Sequence, residues 1–425
     1  MLAWISIGAL VLAVTLSCVT TINVGLLSMA LAMLVGVYLG GMSLNAVLDG
    51  FPVALLVTLV GITLLFSIAE TNGTLSRLTA RAVRLCRGHA GALPVMFFFL
   101  GFVIATIGAG ATPASALLAG PAMAVAVRAG IPPLLMVLMT GNGALAGTLS
   151  PFAPTGVVAH GVMARIGLGG YEWQTFAYNA LAHTIVGVAG FLALGGWRLF
   201  RNGGNSVRRP GPADPAAGTI DEPGTRVLEA RHWMTTAAIG VLIVAVAGFG
   251  FDVGLVALVL AVSLTLLRAC DEQKAIKAMP WSVILMVTGV TVLIAMMQET
   301  QGLALITTGI ANLSTRATIT PIVAFGTGLV SVYSSTSGVV LPAFLPMAPE
   351  LATHLNMQAL PIAWSMNVSA SLVDLSSLST GGALYIAGLP PGSDTRSLFN
   401  GLLIWGLSMS VVGALVCWLL FGLGA

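Results

Sequence analysis

The stretch GNGALAGTLSPFAPTG, residues 141–156, holds four glycines and two prolines inside a chain otherwise built of long Leu, Val, Ala and Ile runs. A helix crossing a bilayer cannot carry this composition without breaking, because proline removes a backbone donor and glycine disfavours helical geometry. Unpaired peptide groups in hydrocarbon cost several kcal/mol each, so the segment must face protein or a watery cavity rather than lipid. Ser150–Pro151 reads as a helix start, which places the end of one half-helix near Gly141 and the beginning of another near Pro151.

The surrounding chain makes the membrane setting plain. Of 425 residues, 57% are hydrophobic and 7% charged, and the mean hydropathy is +1.00, which excludes a soluble domain. The net charge of +3 is small, and nothing supports nucleic acid as a partner. Cys18, Cys86, Cys270 and Cys417 lie too far apart for a metal or redox motif and read as packing residues. No basic residue precedes the apolar run 2–19, so it reads as a retained first helix rather than a cleaved leader.

Spans need about 20 apolar residues. Counting them predicts an all-α polytopic membrane protein with ten crossings, two re-entrant hairpins at 92–129 and 319–354, and two broken helices at 132–163 and 358–388. The segment 201–232 is rich in proline and charge and reads as a cytoplasmic linker between a first unit, 1–200, and a second, 233–425. With that linker inside, all of the 17 basic residues except Arg165 and Arg316 fall on the cytoplasmic side, as the positive-inside rule requires. Both termini are then periplasmic, in a bacterial inner membrane. Residues 73–88 alternate apolar and Arg positions and predict a helix lying on the inner surface, with 299–313 as its nearly uncharged counterpart.

Sliding the chain by 225 residues superposes the predicted spans in order, and aligns Pro121 with Pro346, Asn142 with Asn367, and Thr155–Gly156 with Thr380–Gly381. Each unit has an odd number of crossings, so the second must be inverted relative to the first, the plan of many secondary transporters. The hairpin at 92–129 turns at GAGATP, 108–113, where Thr112–Pro113 has the order of a cap and first helical residue. Two tight full spans would satisfy the same charge pattern. In the second unit the tip is YSSTSG, 333–338, and the broken segment SMNVSASLVDLSSLSTGG, 365–382, replaces prolines with hydroxyls.

Two tips and two breaks meeting near the midplane form a binding site. Inward-pointing helix N-termini suit carboxylates, and the candidate substrate ligands are Thr112, Asn142, Ser150, Thr155, Thr336, Ser337, Asn367 and Thr380. No Lys or Arg lies in these segments, so an anion needs a co-bound cation. Oxygens at Gly110, Asn142, Ser335, Asn367 and Asp374 suit Na⁺. Asp374 either ligates that cation, carries a proton, or caps the half-helix near Ser376. Glu70 and Glu299 read as interfacial, and His160 and His183 as structurally satisfied. No nucleophile, base and orienting acid fall together, so an enzyme is not expected.

With GTLSPFAPTGVVAHG and linker-separated halves, the chain resembles the ion-transporter superfamily that includes the divalent anion/sodium symporters, and most closely the dicarboxylate (malonate) carrier branch. The resemblance implies a scaffold that forms a homodimer, a transport unit holding both hairpins, and elevator-type movement. Relatives carry Ser-Asn-Thr at the tips; here the tips read Gly110-Ala111-Thr112 and Ser335-Thr336-Ser337. The expected activity is Na⁺-coupled uptake of a small dicarboxylate such as malonate or succinate. The rival readings are the large membrane subunit of a tripartite periplasmic transporter and a cation/proton antiporter.

Overall fold

A computed structural model describes residues 1–20, 22–85, 91–202, 228–390 and 392–423, with side chains at 17–19, 82–85 and 200–202 left aside. Most of the linker expected at 201–232 therefore lies outside the described residues, as do Cys18 and Cys86 as side chains.

The chain is helical throughout the described residues. In the first half come α1 (Leu2–Val19), α2 (Val24–Met33), the short α3 (Leu44–Leu48), α4 (Val53–Thr71), α5 (Thr74–Leu85), α6 (Ala92–Ile104), α7 (Ala111–Ala129), α8 (Pro133–Ala146), α9 (Pro154–Arg165), α10 (Glu172–Ala193) and α11 (Gly196–Asn202). The second half runs α12 (Ala230–Phe249), α13 (Val253–Leu266), α14 (Glu272–Ala278), α15 (Trp281–Glu299), α16 (Gly302–Asn312) and α17 (Ile319–Tyr333). It continues with α18 (Leu341–Phe344), α19 (Ala348–Leu355), α20 (Ala359–Leu372), α21 (Thr380–Ala387) and α22 (Thr395–Cys417). Among the described residues six helices are long and apolar enough to cross a membrane on their own. The others are short or paired pieces, such as α17, whose 15 residues reach about 22 Å, less than the roughly 30 Å hydrocarbon core.

The two halves exchange partners. Helix α2 packs on α15, and α13 packs on α4. Both crossings run through glycine: a Cβ at Gly25 would collide with the Leu285 carbonyl and one at Gly289 with the Gly25 carbonyl, while one at Gly61 would collide with the Gly254 carbonyl. Small residues at such crossings let backbones approach closely where no hydrophobic driving force exists between helices in lipid. This reciprocity is compatible with the expected inverted repeat.

Packing divides the helices into two groups. Helices α1, α2, α4, α12, α13 and α15 form one. The hairpin helices, the broken helices, α10 and α22 form the other, with α6 on α8, α8 on α10, α17 on α20 and α22, and α21 on α7. The groups touch where α4 meets α9 and the first tip, and where α15 meets the second tip and α18. Helix α5 falls where the sequence predicts a helix at 73–88, and it is anchored to the first group: Asn72 Nδ2 donates to Thr235 Oγ1 (2.8 Å), Arg77 pairs with Glu229 (3.5 Å), and Arg77 also lies against His232.

Candidate functional site

Each half carries one hairpin tip. In the first, Gly108 (φ +122°) and Gly110 (φ +81°) turn the chain between α6 and α7. These angles are open to glycine and strained for other residues. The ring of Phe66 lies where a Cβ on Gly108 would sit. Helix α7 begins at Ala111 with Gly110 as its cap, two residues earlier than the Thr112–Pro113 start expected from sequence. In the second tip Ser335 caps the helical turn that follows, its Oγ accepting from Gly338 N at 3.0 Å.

The breaks sit later than the sequence suggests. Helix α8 continues through Gly141, Asn142 and Gly143 to Ala146, and α9 starts at Pro154, not near Pro151. Ser150 is inside the break: its Oγ donates to the Thr106 carbonyl (2.7 Å) and accepts from Phe152 N (3.2 Å). The second break runs from the end of α20 at Leu372 to Thr380, with Ser379 as the cap of α21.

The two breaks share one conformation, offset by 226 residues rather than 225. Thr148 N donates to Leu145 O and Asp374 N to Ser371 O; Ser150 N to Gly147 O and Ser376 N to Val373 O; Ala153 N to Ser150 O and Ser379 N to Ser376 O. A Cβ on Gly156 would strike Ser150 O, and one on Gly382 would strike Ser376 O. The ungapped alignment of Thr155–Gly156 with Thr380–Gly381 is therefore corrected by one residue. Asp374 has Thr148, not Leu149, as its counterpart.

Tips and breaks converge on a cavity of about 680 Å³. Its wall includes Gly110, Thr112, Thr148, Thr155, Thr336, Ser337, Asp374 and Thr380, together with Glu70 from α4. Four helical segments start at this wall, and the first amides of a helix have no intrahelical partner. The acids Glu70 and Asp374 line the cavity, and among the described residues no Lys, Arg or His does so. Asp374 Oδ1 accepts from Thr336 Oγ1 at 2.5 Å, and Ser331 Oγ lies against the same hydroxyl, which joins the second break to the second tip.

Of the residues singled out from sequence, Thr112, Thr155, Thr336, Ser337, Thr380, Gly110, Ser335 and Asp374 are brought together around this cavity. Asn142, Asn367 and Ser150 are not part of its wall. Asn142 is fully buried behind it, donating to Leu138 O (2.8 Å) and accepting from His183 Nδ1 (3.0 Å). Asn367 is also fully buried, donating to Ala363 O (3.0 Å), with its Oδ1 unpaired among the described residues. Both asparagines lie inside continuous helix, where side-chain direction follows the helical rotation and not proximity to the break. Sequence reasoning missed Thr148, Ser331 and Glu70 as wall residues. The 226-residue register would have exposed Thr148.

Residues 1–148 match the family model described as dicarboxylate carrier protein MatC N-terminus. The resemblance read from the sequence holds. A comparison with curated proteins finds no match. Among solved structures, the Alcanivorax borkumensis YdaH transporter, described as having an unusual topology, is similar at TM-score 0.61 and 16% identity, over 92% of this chain and 89% of that one. Neisseria gonorrhoeae MtrF, from a class described as antimetabolite efflux pumps, is similar at TM-score 0.57 and 14% identity, over 88% of this chain and 82% of that one. The chain is an integral membrane protein with the fold of membrane transporters.

Proposed function

We propose that this chain is a secondary active transporter that takes up a small dicarboxylate, of the malonate or succinate type, together with Na⁺. The observation that carries this reading is the meeting of four helix starts in one cavity whose charged wall residues, among the described residues, are both acids. Helix starts offer free N–H donors and partial positive charge, which favour carboxylates by up to ~2 kcal/mol each when partly buried. Removing an ion from water costs several kcal/mol, so a dianion beside Asp374 and Glu70 needs a cation. Asp374, Ser335 and the carbonyl groups of the tips supply hard oxygen ligands for it; Thr112, Thr155, Ser337 and Thr380 face the substrate. Asn142 and Asn367 drop out of both sets because each is buried behind the wall.

In the topology drawn from the positive charges, Thr20, Asn23, Glu70, Leu75, Ala278 and Ser282 of the cavity wall stand at cytoplasmic helix ends. The cavity thus opens inward, and the second helix group moves outward past the first in an elevator step. A homodimer formed through the first group gives that motion a fixed reference.

Uptake of labelled malonate and succinate into liposomes holding the purified chain tests the reading. Accumulation driven by an inward Na⁺ gradient is expected. Uptake indifferent to Na⁺ overturns the coupling, and strict need for a separate binding protein supports the tripartite alternative. Asp374 in the cavity favours a second reading, cation/proton antiport, which predicts Na⁺-driven proton flux with no organic anion present.

A further inference from the structure

Helix α10 contributes no residue to the cavity wall, yet two of its side chains reach both broken helices from behind. Asn179 Nδ2 donates to Leu145 O (2.9 Å) and Ala146 O (3.2 Å), the last two carbonyls of α8, the first of which also accepts from Thr148 N. Asn179 Oδ1 accepts from Ser371 Oγ of α20 at 2.6 Å. His183 follows four residues later on the same face of α10. Asn142 Nδ2 is committed to Leu138 O, so Asn142 Oδ1 is an acceptor and His183 Nδ1 must be its donor. The other ring nitrogen, Nε2, lies 3.2 Å from Ser371 Oγ and is an alternative acceptor, beside Asn179 Oδ1, for the one Ser371 hydroxyl proton. Asn142, Asn179, His183 and Ser371 are all fully buried.

The attachment points are equivalent in the two halves. Leu145 and Ser371 each accept, through their carbonyls, from the amide three residues on, which belongs to Thr148 in one break and Asp374 in the other. Both of those residues line the cavity. A bond made at Leu145 and Ser371 therefore sets the spacing of the two breaks one short turn before the chain reaches the wall.

We propose that Asn179 and His183 are positioning residues for the transport site: they clamp the end of α8 to the end of α20 and so fix the distance between Thr148 and Asp374 across the cavity. This rests on the transporter reading above for its consequence, but not for its geometry. Helix ends in a membrane can find carbonyl partners in several ways. A clamp that satisfies both ends through one helix selects a single arrangement, and buried polar networks of this kind are costly when only partly satisfied.

The experiment compares Asn179→Ala, His183→Ala, His183→Gln and Ser371→Ala in the purified full chain, reading transport kinetics and backbone hydrogen exchange. Ser371→Ala removes the link while leaving the α8 carbonyls paired to Asn179. Faster exchange in residues 147–153, by roughly three- to tenfold, is expected in Ser371→Ala although that serine touches none of them. In transport, Asn179→Ala and His183→Ala raise KM for Na⁺ and dicarboxylate by roughly five- to tenfold, with Vmax per folded molecule changed by less than about twofold. His183→Gln, which keeps a donor and an acceptor, recovers most of that loss. Unchanged KM with a lower yield or Vmax, or exchange in 147–153 unaffected by Ser371→Ala, overturns the clamp. Should the wild-type chain move no dicarboxylate, the functional reading fails, and the exchange result still decides the clamp.

Discussion

Asp374 is an acid on the cavity wall in the second break, bonded to the tip hydroxyl of Thr336. An ionisable group at this depth is expensive and calls for a functional partner. Asp374→Asn keeps the shape and removes the charge; the apparent KM for Na⁺ should rise by about tenfold or more, measured as Na⁺-dependent uptake. Retained Na⁺ affinity would remove Asp374 from the cation site. Gly156 and Gly382 have a different job, since each lets a helix start pass over a serine carbonyl of its own break. Gly156→Ala and Gly382→Ala should each cost ~1–3 kcal/mol and lower the melting temperature in detergent, because overpacking forces backbone shifts. At this scale the sequence was partly legible. Hydroxyls at tips and helix starts do line the cavity, whereas Asn142 and Asn367 face the interior, because nothing in residue type reports the rotation of a helix that continues one turn further than its glycines suggest.

The two broken helices solve one backbone problem with different chemistry. In the first, the carbonyls of Leu145 and Ala146 are met by Asn179, and that of Leu149 by His160 Nε2 at 3.0 Å. In the second, Ser379 Oγ stands 2.7 Å from Ser376 O, so a side chain of the segment itself meets that carbonyl, while the bond from Leu378 N to Ser376 Oγ (3.3 Å) repeats that from Phe152 N to Ser150 Oγ in the first. This accounts for the run of serines where the first half has prolines, since buried peptide groups must find partners. Both helices beyond the breaks start with a threonine in their first two positions, Thr155 and Thr380, on the cavity wall. Thr155→Ala and Thr380→Ala should each raise the dicarboxylate KM by about tenfold, the loss of one hydrogen bond to a charged group, with Thr→Ser variants near wild type. Equal KM values for Ala and wild type at both positions would move the substrate elsewhere in the cavity. Existence of the breaks was readable from glycine, proline and serine; their register was not, because a one-residue difference between the halves is invisible without the repeated hydrogen bonds.

Across the whole molecule, the boundary between the two helix groups holds apolar contacts outside the cavity, with Phe66 against the first tip and Leu55 against Gly161. Between pairs of described residues, one side-chain hydrogen bond crosses it: Arg165 Nη2, at the end of α9, donates to Gly50 O at 3.2 Å. On the elevator motion proposed above the two groups slide along this boundary, and a single charge-assisted bond at one end biases where they rest. Arg165→Gln should shift the resting population by up to about tenfold toward the opposite orientation, the equivalent of about 1.4 kcal/mol. The measurement is labelling of Ser337→Cys, in a background lacking the native cysteines, by a membrane-impermeant thiol reagent from the outer side. A labelling rate unchanged by Arg165→Gln would exclude Arg165 as a latch.

The sequence by itself determined that the chain lives in a membrane and that segments rich in glycine, proline and serine are broken where they must not meet lipid. Those conclusions follow from hydropathy, charge sidedness and the cost of unpaired peptide groups, all of which are local or additive along the chain. Tertiary structure alone decided which oxygens share a cavity, that Asp374 answers to Thr148, and that α10 binds both breaks from behind. These depend on helix rotation and on contacts between residues as far apart as Asn179 and Ser371, which composition and spacing do not encode.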